Sequence, residues 1–155
     1  MASDGRPSAE EMLDRVRRQA GAGARGRHRV YLGIAPGVGK TYTALEELIR
    51  RHERGTDVVI GFLETHGRRK TADLAARLES MPRKQIPYKG VVVEEMDTDA
   101  VIRRHPAVAL VDELAHTNAP GSKHEKRWQD VEDLLNAGIT VISRVEGKGN
   151  RPPGT

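Results

Sequence analysis

The 155-residue chain carries 26 Lys and Arg against 22 Asp and Glu, a net charge of +4, with 37% hydrophobic and 31% charged residues and no cysteine. This is the length of one domain with a real core. It excludes a disulfide framework and a cysteine-ligated metal site, and no apolar run approaches the ~20 residues that span a bilayer. With one Trp, one Phe and three Tyr, the core must be built mostly of Val, Ile, Leu and Ala. No charged-then-apolar leader pattern opens the sequence, so a cytoplasmic location is expected.

The basic excess lies near the N-terminus, at Arg15, Arg17, Arg18, Arg25, Arg27 and Arg29. No aromatic residues interleave with these arginines to stack bases, so a solvated helix face and a basic linker are expected, with no nucleic-acid partner. Ser8 and Glu11 have capping-box spacing and open a short helix with Met12, Leu13 and Val16 on its apolar stripe. A glycine-rich linker follows over residues 21–26. The expected organisation is an N-terminal helix and linker over 1–27, a nucleotide-binding domain over 28–145 and a disordered tail over 146–155.

Within the domain, apolar runs and amphipathic stretches alternate. A strand is expected over 29–34, then a glycine-rich bend and a helix over 40–54, with Leu45, Leu48 and Ile49 inward and Gly55 as its stop. The unbroken apolar run 58–63 reads as a strand buried on both faces. A helix follows over 70–80 with Leu74, Ala75 and Leu78 inward, then a short strand over 90–94. Asp97 or Thr98 caps a helix that ends before Pro106. A buried strand over 107–111 precedes a helix over 125–137, with Trp128, Val131, Leu134 and Leu135 on one side. Lys126 and Arg127 at its start read as surface charges, and Gly138 stops it. The last strand covers 139–145. Repeated βα units give an α/β fold, P-loop NTPase-like, with a mainly parallel sheet and helices on both faces.

Two motifs carry the chemistry. Residues 30–41 join an apolar run to a glycine-rich bend ending in Lys40-Thr41. Backbone N–H groups across Pro36, Gly37, Val38, Gly39 and Lys40 can face phosphate oxygens. The Lys40 ammonium reaches the β and γ phosphates, and the Thr41 hydroxyl can hold Mg²⁺. The helix that follows aims its N-terminal dipole at the same anion. Ile34 stands where the usual pattern has its first glycine, so the chain enters the bend with strand-like angles. The second motif is Asp112-Glu113 at the end of the buried run 107–111. Asp112 would hold the magnesium, through a water, together with Thr41. Glu113 would orient or deprotonate a water attacking the γ-phosphate. Both motifs fall at the carboxyl ends of strands, where open α/β sheets bind ligands, and are expected to meet at two neighbouring strand tips.

In the loop after Glu113, His116 and Asn118 either contact the γ-phosphate and read nucleotide state or cap a turn. Arg68 and Arg69 follow the second buried strand and reach the same edge, where they either bind phosphate or, as helix-start arginines more often are, stay solvated. His66 and His116 lack the close spacing of a zinc pair. The residues also permit a small P-loop ATPase or kinase with its own substrate, or a scaffold with a vestigial loop. The intact Lys40, Thr41 and Asp112 argue against the scaffold.

Four blocks, Gly33-Ile-Ala-Pro-Gly-Val-Gly-Lys-Thr-Tyr42, Gly61-Phe-Leu-Glu-Thr-His-Gly-Arg68, Val111-Asp-Glu-Leu-Ala-His-Thr-Asn-Ala-Pro-Gly-Ser122 and Arg127-Trp-Gln-Asp-Val-Glu132, occur in order. They resemble the N-terminal cytoplasmic domain of KdpD-type osmosensitive potassium-sensor histidine kinases. The resemblance implies a regulatory domain that binds ATP and Mg²⁺, with Tyr42 added to the nucleotide-binding set. It implies a role in a two-component system controlling potassium uptake, with downstream domains of a sensor kinase or a separate signalling protein as partners. In that family the domain precedes a stress-protein-like domain, membrane helices and the kinase core, none of which this chain contains. The expected activity is therefore nucleotide sensing with at most slow hydrolysis, with Lys40 and Glu113 as catalytic residues. Two departures stand out: Ile34, and the replacement of the family's continuation after Ser143 by residues 144–155.

Overall fold

In a computed structural model, residues 25–33, 40–65 and 67–146 are described. The expected N-terminal helix, the bend at 34–39 with Pro36, Gly37, Val38 and Gly39, His66 and the tail beyond 146 lie outside the described residues, as do the side chains of Lys40 and Thr41.

The chain runs β1 (His28–Gly33), α1 (Lys40–Glu53), β2 (Val58–Phe62), α2 (Arg69–Ala75), β3 (Glu79–Ser80), β4 (Lys84–Tyr88), β5 (Val91–Glu95), α3 (Thr98–Arg104), β6 (Val108–Val111), α4 (Arg127–Asn136) and β7 (Thr140–Glu146). Five strands form one sheet in the order β1-β7-β6-β2-β3, every neighbouring pair parallel. The remaining two, β4 and β5, make a separate antiparallel hairpin.

Side-chain alternation splits the core across the sheet. Val58 and Ile60 of β2, Val108 and Leu110 of β6, and Ile142 of β7 pack with Ala44, Leu45, Leu48 and Ile49 of α1. Val59, Ala109, Val111 and Val141 face the other way, against Val101 of α3 and Val131, Leu134 and Leu135 of α4. Helices thus cover both faces, as the buried apolar runs require.

One irregularity matters for the site. The β2–β6 register shifts between Ile60 and Phe62. Alternation alone would put Phe62 beside Ile60. The shift turns it to the α4 face instead, where its ring receives two guanidinium groups, as a strand irregularity that re-aims a side chain does. Gly61 occupies this point, and a Cβ there would lie 3.3 Å from both the Leu110 carbonyl oxygen and the Met96 sulfur.

Several expectations are corrected. The strands bearing the two motifs are not neighbours, because β7 lies between β1 and β6. The helix expected over 70–80 ends at Ala75, and Glu79 and Ser80 pair with β2 as a short edge strand. The strand expected near 90–94 is one arm of a hairpin whose other arm, β4, was not anticipated. Trp128 is 51% exposed, whereas Arg127, expected at the surface, is fully buried. The helix bearing them starts at Arg127 rather than 125. Just before β1, the Gly26 N–H donates to the Leu135 carbonyl at 2.8 Å and Arg25 pairs with Glu132 at 3.0 Å.

Candidate functional site

All five sheet strands run the same way, so their carboxyl ends share one edge. At this edge β1 ends at Gly33, α1 begins at Lys40, and β6 delivers Asp112. Val111 pairs with Ser143 in the β6–β7 register, which sets Asp112 beside Arg144.

Asp112 is fixed at three points. Its N–H donates to the Phe62 carbonyl of β2 at 2.9 Å. Its carbonyl accepts from Nη1 of Arg127 at 3.2 Å, and its Oδ1 accepts from Nε of Arg144 at 2.9 Å. The two side chains of that ion pair are 9% and 1% exposed for Arg144 and Asp112. Oδ2 of Asp112 is buried and has no hydrogen-bond partner among the described residues. A buried carboxylate oxygen left without a donor is costly unless something fills the position. An acceptor in this position is one that a water or a divalent cation could fill, with Asp112 as the ligand.

Glu113 follows with φ 53°, the left-handed region that non-glycine residues rarely adopt. Flanking bonds hold it there: the Leu114 N–H donates to the Arg144 carbonyl at 3.1 Å and the His116 N–H to the Glu113 carbonyl at 3.0 Å. Such strain persists only where the surroundings over-determine it, and it collects at functional sites.

The loop beyond is locked by a second acid. Glu95, 3% exposed, receives Nη2 of Arg127 at 3.0 Å and the Ala119 N–H at 2.8 Å, and Nε2 of His116 lies 3.0 Å from it. The Arg127 guanidinium also stacks 3.9 Å above the Phe62 ring, which Arg83 approaches at 4.4 Å. Burial lowers the Arg127 pKa, and the surrounding charges of Glu95, Glu113 and Asp112 oppose that shift. The Asn118 amide donates to Oδ2 of Asp130 at 2.8 Å and to the His124 carbonyl at 3.0 Å. His116 and Asn118 thus tie the loop to Glu95 of β5 and Asp130 of α4. Tyr42 lies on the first turn of α1, half-buried, and Arg68 immediately precedes α2.

Sequence reasoning missed Glu95, Arg127 and Arg144. A signal existed for two of them. Arg127 lies four residues before Val131 and seven before Leu134, on the buried stripe of the helix. Arg144 interrupts an apolar run at the end of a buried strand.

Comparison with known proteins then supplies a family. The model of the KdpD family, described as the osmosensitive K+ channel His kinase sensor domain, matches residues 24–148. The sensor protein KdpD of Mycobacterium tuberculosis (strain ATCC 25618 / H37Rv) is 62% identical over 121 residues, 78% of this chain and 14% of that protein. The sensor protein KdpD of Escherichia coli (strain K12) is 48% identical over 132 residues, 85% of this chain and 15% of that protein. That of Clostridium acetobutylicum is 43% identical over 140 residues, 90% of this chain and 16% of that protein. The chain spans about a seventh of the length of these relatives.

Proposed function

The chain belongs to the KdpD family of osmosensitive K+ channel His kinase sensor domains, and we propose that within it this domain is a P-loop NTPase-like, nucleotide-responsive regulatory module that binds ATP with Mg²⁺. The observation that carries this reading is Asp112. It ends a buried parallel strand at the edge where β1 stops and α1 starts, and it holds one buried carboxylate oxygen without a donor. The backbone of residues 36–41 cradles the phosphates, Lys40 supplies their counter-charge, and Tyr42 extends the nucleotide-binding set. Thr41 and Asp112 hold the metal, which when bound neutralises phosphate charge. Glu113 orients a water toward the γ-phosphate. His116 and Asn118 act by fixing the loop that follows it.

Hydrolysis, where it occurs, is slow, and the product of binding is a change in the 113–119 loop read by downstream domains of a sensor kinase or by a separate signalling protein. Membership of a sensor-kinase family supports placing this domain on the cytoplasmic side of a larger sensor; among the described residues no helix is long and apolar enough to cross a membrane.

The test is thermal unfolding with Mg-ATP. Wild-type protein gains about 2.7 kcal/mol at ligand near 100 times Kd, and Lys40→Ala abolishes the gain. A shift retained in Lys40→Ala refutes the assignment. Multiple-turnover phosphate release at tens per second would point instead to a free-standing ATPase or kinase.

A further inference from the structure

We infer that Arg144 is a built-in counter-cation of the candidate nucleotide site and competes with the divalent metal for the Asp112 carboxylate. The inference rests on the nucleotide reading and adds a control to it. β7 is the strand inserted between the two motif-bearing strands, so its tip is the one point in the sheet adjacent to both. The register places Arg144 beside Asp112 there, and Nε of the guanidinium donates to Oδ1 at 2.9 Å. Both side chains are buried.

A metal at this carboxylate would stand within a few ångströms of that fixed positive charge. At an effective dielectric near 20, repulsion across such a distance amounts to several kcal/mol. The same guanidinium already neutralises the acid, so the attraction that would draw a cation in is reduced. The free oxygen, Oδ2, has almost no accessible surface. A metal or its water reaches it only if the pair opens or the loop moves. Metal entry and release of Arg144 from Asp112 are therefore one coupled equilibrium. In the metal-free protein the pair holds the site shut and charge-balanced.

The test measures Mn²⁺ binding by electron paramagnetic resonance of the free ion, with and without ATP, in wild type and in Arg144→Gln. The Gln amide keeps a donor for Oδ1 and removes the charge. Arg144→Gln should bind Mn²⁺ alone at least about tenfold more tightly than wild type, and adding Asp112→Asn to it should erase the gain. Equal Mn²⁺ affinity in wild type and Arg144→Gln overturns the inference. Should Arg144→Gln not fold, the Nε–H nuclear magnetic resonance of Arg144 in the wild-type chain decides. It should move and lose protection from exchange at saturating Mg-ATP, and an unmoved resonance overturns the inference. Normal Mg-ATP binding with no Mn²⁺ gain sinks the Arg144 competition alone. A Mn²⁺ gain in a protein that never binds ATP sinks the nucleotide reading and leaves the competition standing.

Discussion

Arg127→Met tests the buried cation at the centre of the site. The Met side chain follows the arginine stem and removes the guanidinium. That group is fully buried, 3.0 Å from Glu95 and 3.9 Å above Phe62, and it holds the Asp112 carbonyl. Its loss leaves the buried Glu95 carboxylate with the Ala119 N–H and His116 as its partners among the described residues. Breaking one side of a buried ion pair costs about 3–5 kcal/mol, most of it the stranded charge. A desolvated cation–π contact adds about 2 kcal/mol in isolation. The two overlap in one group, so the expected loss is about 4 kcal/mol. In a domain of this size each kcal/mol lowers Tm by about 2–4 °C, a fall of roughly 8–16 °C.

The urea midpoint should drop with little change in slope, since the exposed area on unfolding is unaltered. The decisive comparison is the double variant Glu95→Gln/Arg127→Met. If the cost comes from a stranded carboxylate, neutralising Glu95 should return at least about 2 kcal/mol. A single-variant loss below about 1 kcal/mol, or a double variant no more stable than Arg127→Met, refutes the argument that these charges hold each other in the interior.

Two further predictions concern the acids. Asp112→Asn removes the negative charge that pairs with the buried Arg144 guanidinium, so the apo protein should lose about 3 kcal/mol in chemical unfolding. In calorimetry it should lose magnesium-dependent affinity more than bare nucleotide affinity, and equal losses with and without metal would count against its metal role. Asp130, 6% exposed and flanked by His124 and Asp133, has its pKa raised by burial, against the lowering effect of the Asn118 hydrogen bond. A carboxyl whose folded pKa is raised stabilises the fold below the ordinary carboxylate range, and that contribution is lost as pH rises through the folded value. Asp130→Asn should therefore gain stability over wild type at neutral pH and lose that advantage in acid; a pH-independent difference in urea unfolding would contradict the burial argument.

What could be read from the residues was what short-range pattern decides. The buried strands β2 and β6 follow from uninterrupted apolar runs, and helix ends from the Asp97 cap of α3, whose side chain accepts from the Ala100 N–H at 3.1 Å, and from the Gly55 and Gly138 stops of α1 and α4 at positive φ. The hairpin escaped because its signals are atypical. Pro87 reads against a strand, although it sits in a two-stranded ribbon where it breaks no central ladder. Its turn, Lys89-Gly90, has both φ values positive, 49° and 80°, a conformation usually marked by Asn or Asp at the first position. The helix over 70–80 was extended too far because Leu78 satisfies helical spacing and is buried at 7% either way. In the fold it leads into an edge strand.

The site was half legible for a deeper reason. An acid pair ending an apolar run announces itself, since carboxylates have no business in a core unless chemistry or a partner keeps them there. The partner does not announce itself, because compensation is settled between elements far apart in the chain. Asp112 and Arg144 are 32 residues apart, as are Glu95 and Arg127. Only the insertion of β7 beside β6 and the packing of α4 over Phe62 bring them together. Hydrophobicity assigned Trp128 to the interior and Arg127 to solvent; the charge at Glu95 reverses that order. The same compensation explains how Glu113 is kept at φ 53°. Its neighbour is clamped through amide, carbonyl and carboxylate by β2, α4 and β7, the kind of surrounding constraint that holds a strained residue in place. Whatever engages the orphaned oxygen of Asp112 must act on a residue tied to three elements at once, and that makes its occupancy mechanically consequential for the loop beyond it.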